Sequence, residues 1–201
     1  IGSGVVANGW TNAAGSPDLM TSGGLNVGPF ILAKDMAASP NGGNFALLHD
    51  GEAISQTVSG LVIGLDYEVS FYQGNGGFFA VSGSFSDHTE NGFWDVTFGG
   101  AGTQSSSILT HDGFGSQTWH LVTMNFTATS TSEVLLFDSQ KDPLSTSGKD
   151  ARMAIDGIVF SEATVAAVPE PTTVALLGIG MVGLAGAEVR RRRKKRSVEK
   201  S

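Results

Sequence analysis

Between Thr172 and Ala187 the chain reads TTVALLGIGMVGLAGA, sixteen residues without a charge, and seven consecutive cations run from Arg190 to Arg196. No other stretch limits so sharply what the chain can become. As a helix the run spans about 24 Å, short of the ~30 Å hydrocarbon core that ~20 residues usually cross. Thin bilayers and snorkelling arginines absorb part of that mismatch, and the cation cluster obeys the positive-inside rule. A buried soluble helix is the competing reading, but four glycines in sixteen residues make it a poor one. The expectation is a single transmembrane helix over 172–189, flanked by Arg190, Arg191, Arg192 and Arg193. Residues 190–201 follow as a basic cytoplasmic tail.

The formal net charge of −7 conceals two opposite regions. Residues 1–168 carry 16 acidic side chains against Lys34, Lys141, Lys149 and Arg152, for −12, whereas residues 187–201 carry +6. Such polarity asks for two environments. An acidic body repels phosphate backbones, so nucleic acid is excluded as its partner. With no cysteine at all, a disulfide scaffold, a Cys-ligated zinc site and a thiol nucleophile are also excluded.

Just ahead of the apolar run stands Val168-Pro169-Glu170-Pro171. Each proline lacks an N–H and biases its predecessor toward extended geometry, so 164–171 reads as an extended, protease-accessible linker. A Val-Pro-Glu-Pro segment, a short Gly-rich apolar run and a terminal Arg cluster, in that order, resemble the PEP-CTERM sorting signal of Gram-negative bacteria. That signal is also catalogued as an ice-binding protein C-terminal domain. The resemblance implies an exported protein held in the inner membrane until an exosortase-type protease recognises Pro169, Glu170 and Pro171. It further implies passage to the cell surface or the exopolysaccharide matrix. Such a route needs an export signal, and residues 1–10 hold neither a basic n-region nor a long apolar h-region. The signal has then been removed, or the chain is a fragment.

The body, residues 1–163, alternates with period two. Tyr67, Val69 and Phe71 share one face, as do Trp94, Val96 and Phe98, and Val122, Met124 and Phe126. Further strands are expected at 45–49, 54–58, 78–85, 134–138 and 153–161. Glycine, at 28 residues, is roughly twice its average usage. It punctuates the strands at Asn41-Gly42-Gly43, Asp50-Gly51, Gly74-Asn75-Gly76-Gly77, Asn91-Gly92, Gly99-Gly100 and Asp112-Gly113. No window before Thr172 holds a 3.6 period. Eight to ten short strands predict an all-β, antiparallel sandwich.

Gly9-Trp10, Ser16-Pro17-Asp18, Asn41 to Phe45, Ile54 to Val58, Trp119 ahead of Phe126-Thr127-Ala128, and Ala154 to Ile158 follow one another in an order similar to galactose-binding-like jelly-roll domains. Many carbohydrate-binding modules share that architecture. The resemblance implies sugar binding and a structural Ca²⁺ held in part by Asp156, with a solvated acidic residue as the competing reading. Sugar binding needs aromatic platforms. Phe114 and the Phe78-Phe79 pair, in Gly-rich stretches, are the candidate exposed ones, while Trp94 and Trp119 read as core. Trp10 and Tyr72 complete the large aromatics considered. Asp138, Asp142 and Asp150 supply further oxygen ligands near one loop.

No Gly-any-Ser-any-Gly elbow and no His-Glu-any-any-His helix occurs. In His49-Asp50 and His111-Asp112 the neighbours point to opposite faces of a strand and form no dyad. The reading is therefore a non-enzymatic exported sandwich, with polysaccharide as its candidate partner. A structural, adhesion or ice-binding protein without a small ligand is the alternative, and a glycan hydrolase comes third.

Overall fold

The computed structural model describes residues 2–3, 6–21, 25–27, 30–33, 36–76, 78–80, 89–110, 118–144 and 150–163. The chain divides into two compact units, Ile1–Ala163 and Thr164–Ser201, and everything described belongs to the first. The expected transmembrane segment, the Pro169-Glu170-Pro171 motif, the Arg190–Arg193 cluster and Phe114 lie outside the described residues. Among the described residues no helix is long and apolar enough to cross a membrane.

The described residues of the body form fifteen strand segments. The first five are β1 (Gly2–Ser3), β2 (Thr11–Ala14), β3 (Asp18–Thr21), β4 (Leu25–Val27) and β5 (Phe30–Leu32). Next come β6 (Asn44–His49), β7 (Ala53–Ser59), β8 (Asp66–Asn75), β9 (Phe78–Ala80) and β10 (Thr89–Glu90). The chain continues with β11 (Gly92–Phe98), β12 (Thr103–Ser105), β13 (His120–Thr127), β14 (Ser132–Lys141) and β15 (Asp150–Glu162). One sheet runs β1-β3-β6-β15-β8-β13, with β10 joined in parallel to β15. A second runs β12-β11-β14-β7-β2, and a small third one runs β4-β5-β9. Every other pairing is antiparallel. The expectation of an all-β sandwich with almost no helix is met, since one 3-10 turn at Gly99–Ala101 is the only helical element among the described residues.

Period-two alternation is the reason the two large sheets stack. On β8 the burial alternates from Tyr67 to Phe71, and β11 repeats the pattern from Gly92 to Phe98. Trp94, Val96, Phe98, Leu135, Phe137, Met153 and Ile155 then meet between the sheets, with the Phe71 and Phe137 rings edge-on at 5.1 Å. A second cluster uses the opposite residues of the first sheet. Phe45, Leu47 and Ala154 alternate with core-facing Leu48, Met153 and Ile155, so they point away from the second sheet. There they pack with Met20, Ala33 and Met36. Trp119 is not inside a strand, as the alternation predicted; it precedes β13 and half-covers this cluster. Its ring lies edge-on to Phe45 at 5.2 Å and its indole N–H donates to the Ala37 carbonyl (3.1 Å).

Some expected turns are instead strand. Gly74 and Asn75 continue β8, and Gly92 opens β11. The physical reason is close approach rather than chain reversal. A Cβ on Gly74 would stand 2.5 Å from Met36 Cε, and one on Gly76 would collide with Leu47. At Gly92 it would meet Ala151 and Met153, each at 2.7 Å. The expected strand over 78–85 is described only as β9, where Phe79 pairs with Ile31 and Phe78 with Leu32.

Candidate functional site

Strand β15 is regular until Asp156, after which its pairing with β8 slips before resuming at Val159. Gly157 makes the bulge possible, with φ +60°. No side chain would fit there either, because the Asn41 amide and the Tyr72 ring (3.1 Å) already occupy the space a Cβ would take. The bulge fixes Asp156 beside the Ser39–Asn41 segment. The Asp156 Oδ2 accepts the Ser39 hydroxyl and the Asn41 N–H (3.4 Å).

On β15, Asp156 and Gly157 of the bulge border a pocket of about 130 Å³. Trp10, Leu19, Ala46, Ile54 and Ile158 supply apolar walls, and Asn44 and Asp156 supply polar ones. Trp10 is held there by its backbone N–H, which donates to the Ala7 carbonyl (3.1 Å), and by edge contact of its ring with Phe137 at 5.7 Å. Cavities near this size accept one small ring and no more. Among the described residues Asp156 is the only carboxylate in the pocket lining. Among the described residues nothing donates to its Oδ1, so that oxygen can accept a hydroxyl.

Of the residues singled out from sequence, the fold brings Trp10 and Asp156 together. It does not bring Asp138, Asp142 and Asp150 together as one ligand set. Asp142 accepts the Leu144 N–H of its own turn (2.9 Å), Asp138 stands opposite Asp95 across β11 and β14, and Asp150 starts β15. Among the described residues no group of three or more His, Asp or Glu side chains gathers as a metal would need. The described part of the Phe78-Phe79 pair is the backbone of β9, in the third sheet. Sequence reasoning missed Ser39, Asn41 and Asn44. Asn41 and its glycines carried a turn signal, which they do form, but nothing local tied that turn to Asp156.

Residues 167–193 match the PEP-CTERM protein-sorting motif. The chain thus carries the sorting signal of an exported protein. No curated protein gives a significant match. Among solved structures, the CBM22-1 xylan-binding domain from Paenibacillus barcinonensis Xyn10C is 17% identical with a TM-score of 0.41, over 79% of this chain and 88% of that one. A family 35 carbohydrate binding module from Clostridium thermocellum is 16% identical with a TM-score of 0.42, over 74% of this chain and all (100%) of that one. The CBM22-1-GH10 modules of a Clostridium thermocellum endo-1,4-beta-D-xylanase, complexed with xylohexaose, are 12% identical with a TM-score of 0.42. That match takes in 80% of this chain, which spans only 27% of the xylanase chain. All three TM-scores are below 0.5.

Proposed function

We propose that this chain is an exported surface or matrix protein whose body holds one sugar ring without cleaving it. Residues 172–189 anchor it in the inner membrane, with the body outside, until an exosortase-type protease acts at Pro169-Glu170-Pro171. The observation that carries the binding reading is the convergence of Trp10 and Asp156 on one pocket. An indole offers an apolar face to the C–H face of a pyranose, and a carboxylate oxygen accepts its hydroxyl. Hydrolysis of a glycosidic bond ordinarily uses two carboxylates, and among the described residues this pocket lining has one.

Binding and hydrolysis assays on one polysaccharide panel test the reading. Asp156→Asn and Trp10→Phe are each expected to weaken capture about tenfold, the equivalent of ~1.4 kcal/mol. Capture by neither parent nor variant would favour the structural, adhesion or ice-binding alternative, and released product would favour a hydrolase. Calcium at Asp156 is tested by chelation, which lowers the melting temperature of a protein that binds metal only when folded. Unchanged melting is the expected result, because among the described residues Asp156 belongs to no cluster of three or more such ligands. For the anchor, deleting Thr172–Arg196 is expected to release the chain from the inner membrane. Alanine at Pro169, Glu170 and Pro171 is expected to leave it bound and unprocessed in a host with the matching protease.

A further inference from the structure

Two large apolar side chains stand side by side in solvent at the turn between β7 and β8. Val62 is 58% exposed and Ile63 62%. A tightly held backbone presents them. The Leu65 N–H donates to the Val62 carbonyl (3.1 Å), the Val62 N–H to the Tyr67 phenol oxygen (3.0 Å), and the Gly64 N–H to the Ala128 carbonyl (2.8 Å). Gly64 has φ +83° and nothing near the position of a Cβ, so it serves the turn and not the packing. A tip fixed in advance loses little conformational freedom when it meets a partner.

The position of this tip indicates the partner. Ala163, at the end of the described body, donates its N–H to the Asp66 carbonyl (2.9 Å), and Glu162 pairs with Tyr67. Asp66 is three residue steps from Ile63, about 11 Å of chain at most. The chain therefore leaves the body beside the apolar tip. Residues 164–171 then reach at most about 30 Å when extended, and the uncharged run begins at Thr172.

We propose that Val62 and Ile63 dip into the outer surface of the bilayer that holds the anchor. This inference rests on the membrane reading of residues 172–189. A tether this short sets an effective concentration in the millimolar range, so a weak apolar contact is enough to seat the tip. Asp66 and Glu162, both exposed, border it and oppose anionic lipid within roughly 10 Å. Contact is therefore strongest on a weakly charged surface.

The chain has no native cysteine, so single probes are readily placed. Ile63→Cys and, separately, Val62→Cys would each carry an environment-sensitive fluorophore. Leu144→Cys is the control, 85% exposed just beyond Lys141, whereas the other end of β14, at Ser132, lies beside the tip. Each full-length chain is incorporated into vesicles of phosphatidylethanolamine with increasing phosphatidylglycerol, floated, and read with a lipid-borne quencher. Several-fold stronger quenching at 62 and 63 than at 144, declining as phosphatidylglycerol increases, is expected. Floated chains whose labels at 62 and 63 stay in water would overturn the inference alone. Chains that do not float would overturn the anchor reading and the inference with it. Label-to-label energy transfer without lipid quenching would assign the tip to a second copy and also overturn it. Parent-like melting of either tip variant keeps the comparison valid.

Discussion

Strand β14 carries two carboxylates five positions apart, and the protein treats them in opposite ways. Glu133 is buried, and burial alone raises a carboxyl pKa. The Thr129 hydroxyl and the backbone N–H groups of Thr129 and Ser130, at 2.6–2.8 Å from Oε1, outweigh that and hold it below the ordinary value. At Asp138 burial also acts upward, a Gln140 hydrogen bond opposes it, and Asp95 and Asp50 push further up. What separates the two sites is the sign of the surroundings. One end of β14 is a turn whose N–H groups need an acceptor; the other end gathers carboxylates, with Asp95 directly across the pair from Asp138.

The acidic end can be broken most severely through Arg152. Burial acts to lower the pKa of this guanidinium, while Asp150, Glu52 and Asp18 support its charge. Asp18 is itself only 3% exposed. Arg152→Met would remove the buried cation that these three carboxylates face, and a loss of about 3 kcal/mol is expected in urea melts. A loss below ~1 kcal/mol would mean that the cluster is solvated and the contrast along β14 is shallow.

The turn end is sharpened through Gly99. Its φ is +43°, and a Cβ would stand 2.6 Å from Glu133 Oε2. Gly99→Ala therefore combines backbone strain with displacement of the buried carboxylate, at an expected cost of about 2–3 kcal/mol. Combined with Glu133→Ala, which removes the carboxylate but leaves a Cβ 2.8 Å away, the glycine substitution is expected to cost less than it does alone while keeping its backbone strain. Additive costs would show that the two groups do not interact.

Glu133→Gln keeps an acceptor but removes its charge, and about 1–1.5 kcal/mol is expected to disappear at neutral pH. A depressed folded pKa gives stability that is present in full above the unfolded value near 4.5 and is lost as pH falls through the folded value. Parent and variant melting curves should accordingly converge in acid. Curves separated equally at all pH values would refute the charge-based account.

Asp138→Asn should act in the opposite direction and least of all. Relief of a half-exposed, like-charged cross-strand pair is expected to stabilise by about 0.2–1 kcal/mol. Because the folded pKa is raised, the penalty is full above that value and gone below the unfolded 3.8. The gain should shrink as pH falls across this window and with added salt. A destabilised variant would place the Gln140 hydrogen bond above the repulsion.

The long strands were readable because half-burial writes itself as alternation, and β8, β11 and β14 all keep it. The short edge strands were not. Every residue of β2 and β12 is exposed, so neither Thr11–Ala14 nor Thr103–Ser105 carries a two-fold pattern. Glycine misled for a related reason. Gly64 is needed for positive φ alone, Gly74, Gly76 and Gly92 because another side chain lies against them, and Gly157 for both reasons. Sequence alone does not separate these uses.

From the sequence by itself came the all-β body, its acidic charge and the PEP-CTERM motif, because each is a local or summed property of neighbouring residues. Only the tertiary structure decided that Trp10 and Asp156 share a pocket, that Asn41 lies over Gly157, and that Asp138 faces Asp95. It also decided that the apolar turn at Val62-Ile63 lies beside the chain's exit at Ala163. These juxtapositions depend on strand order and register, and a register is selected by burying whole faces at once. No short stretch of the chain encodes which distant strand will lie beside it.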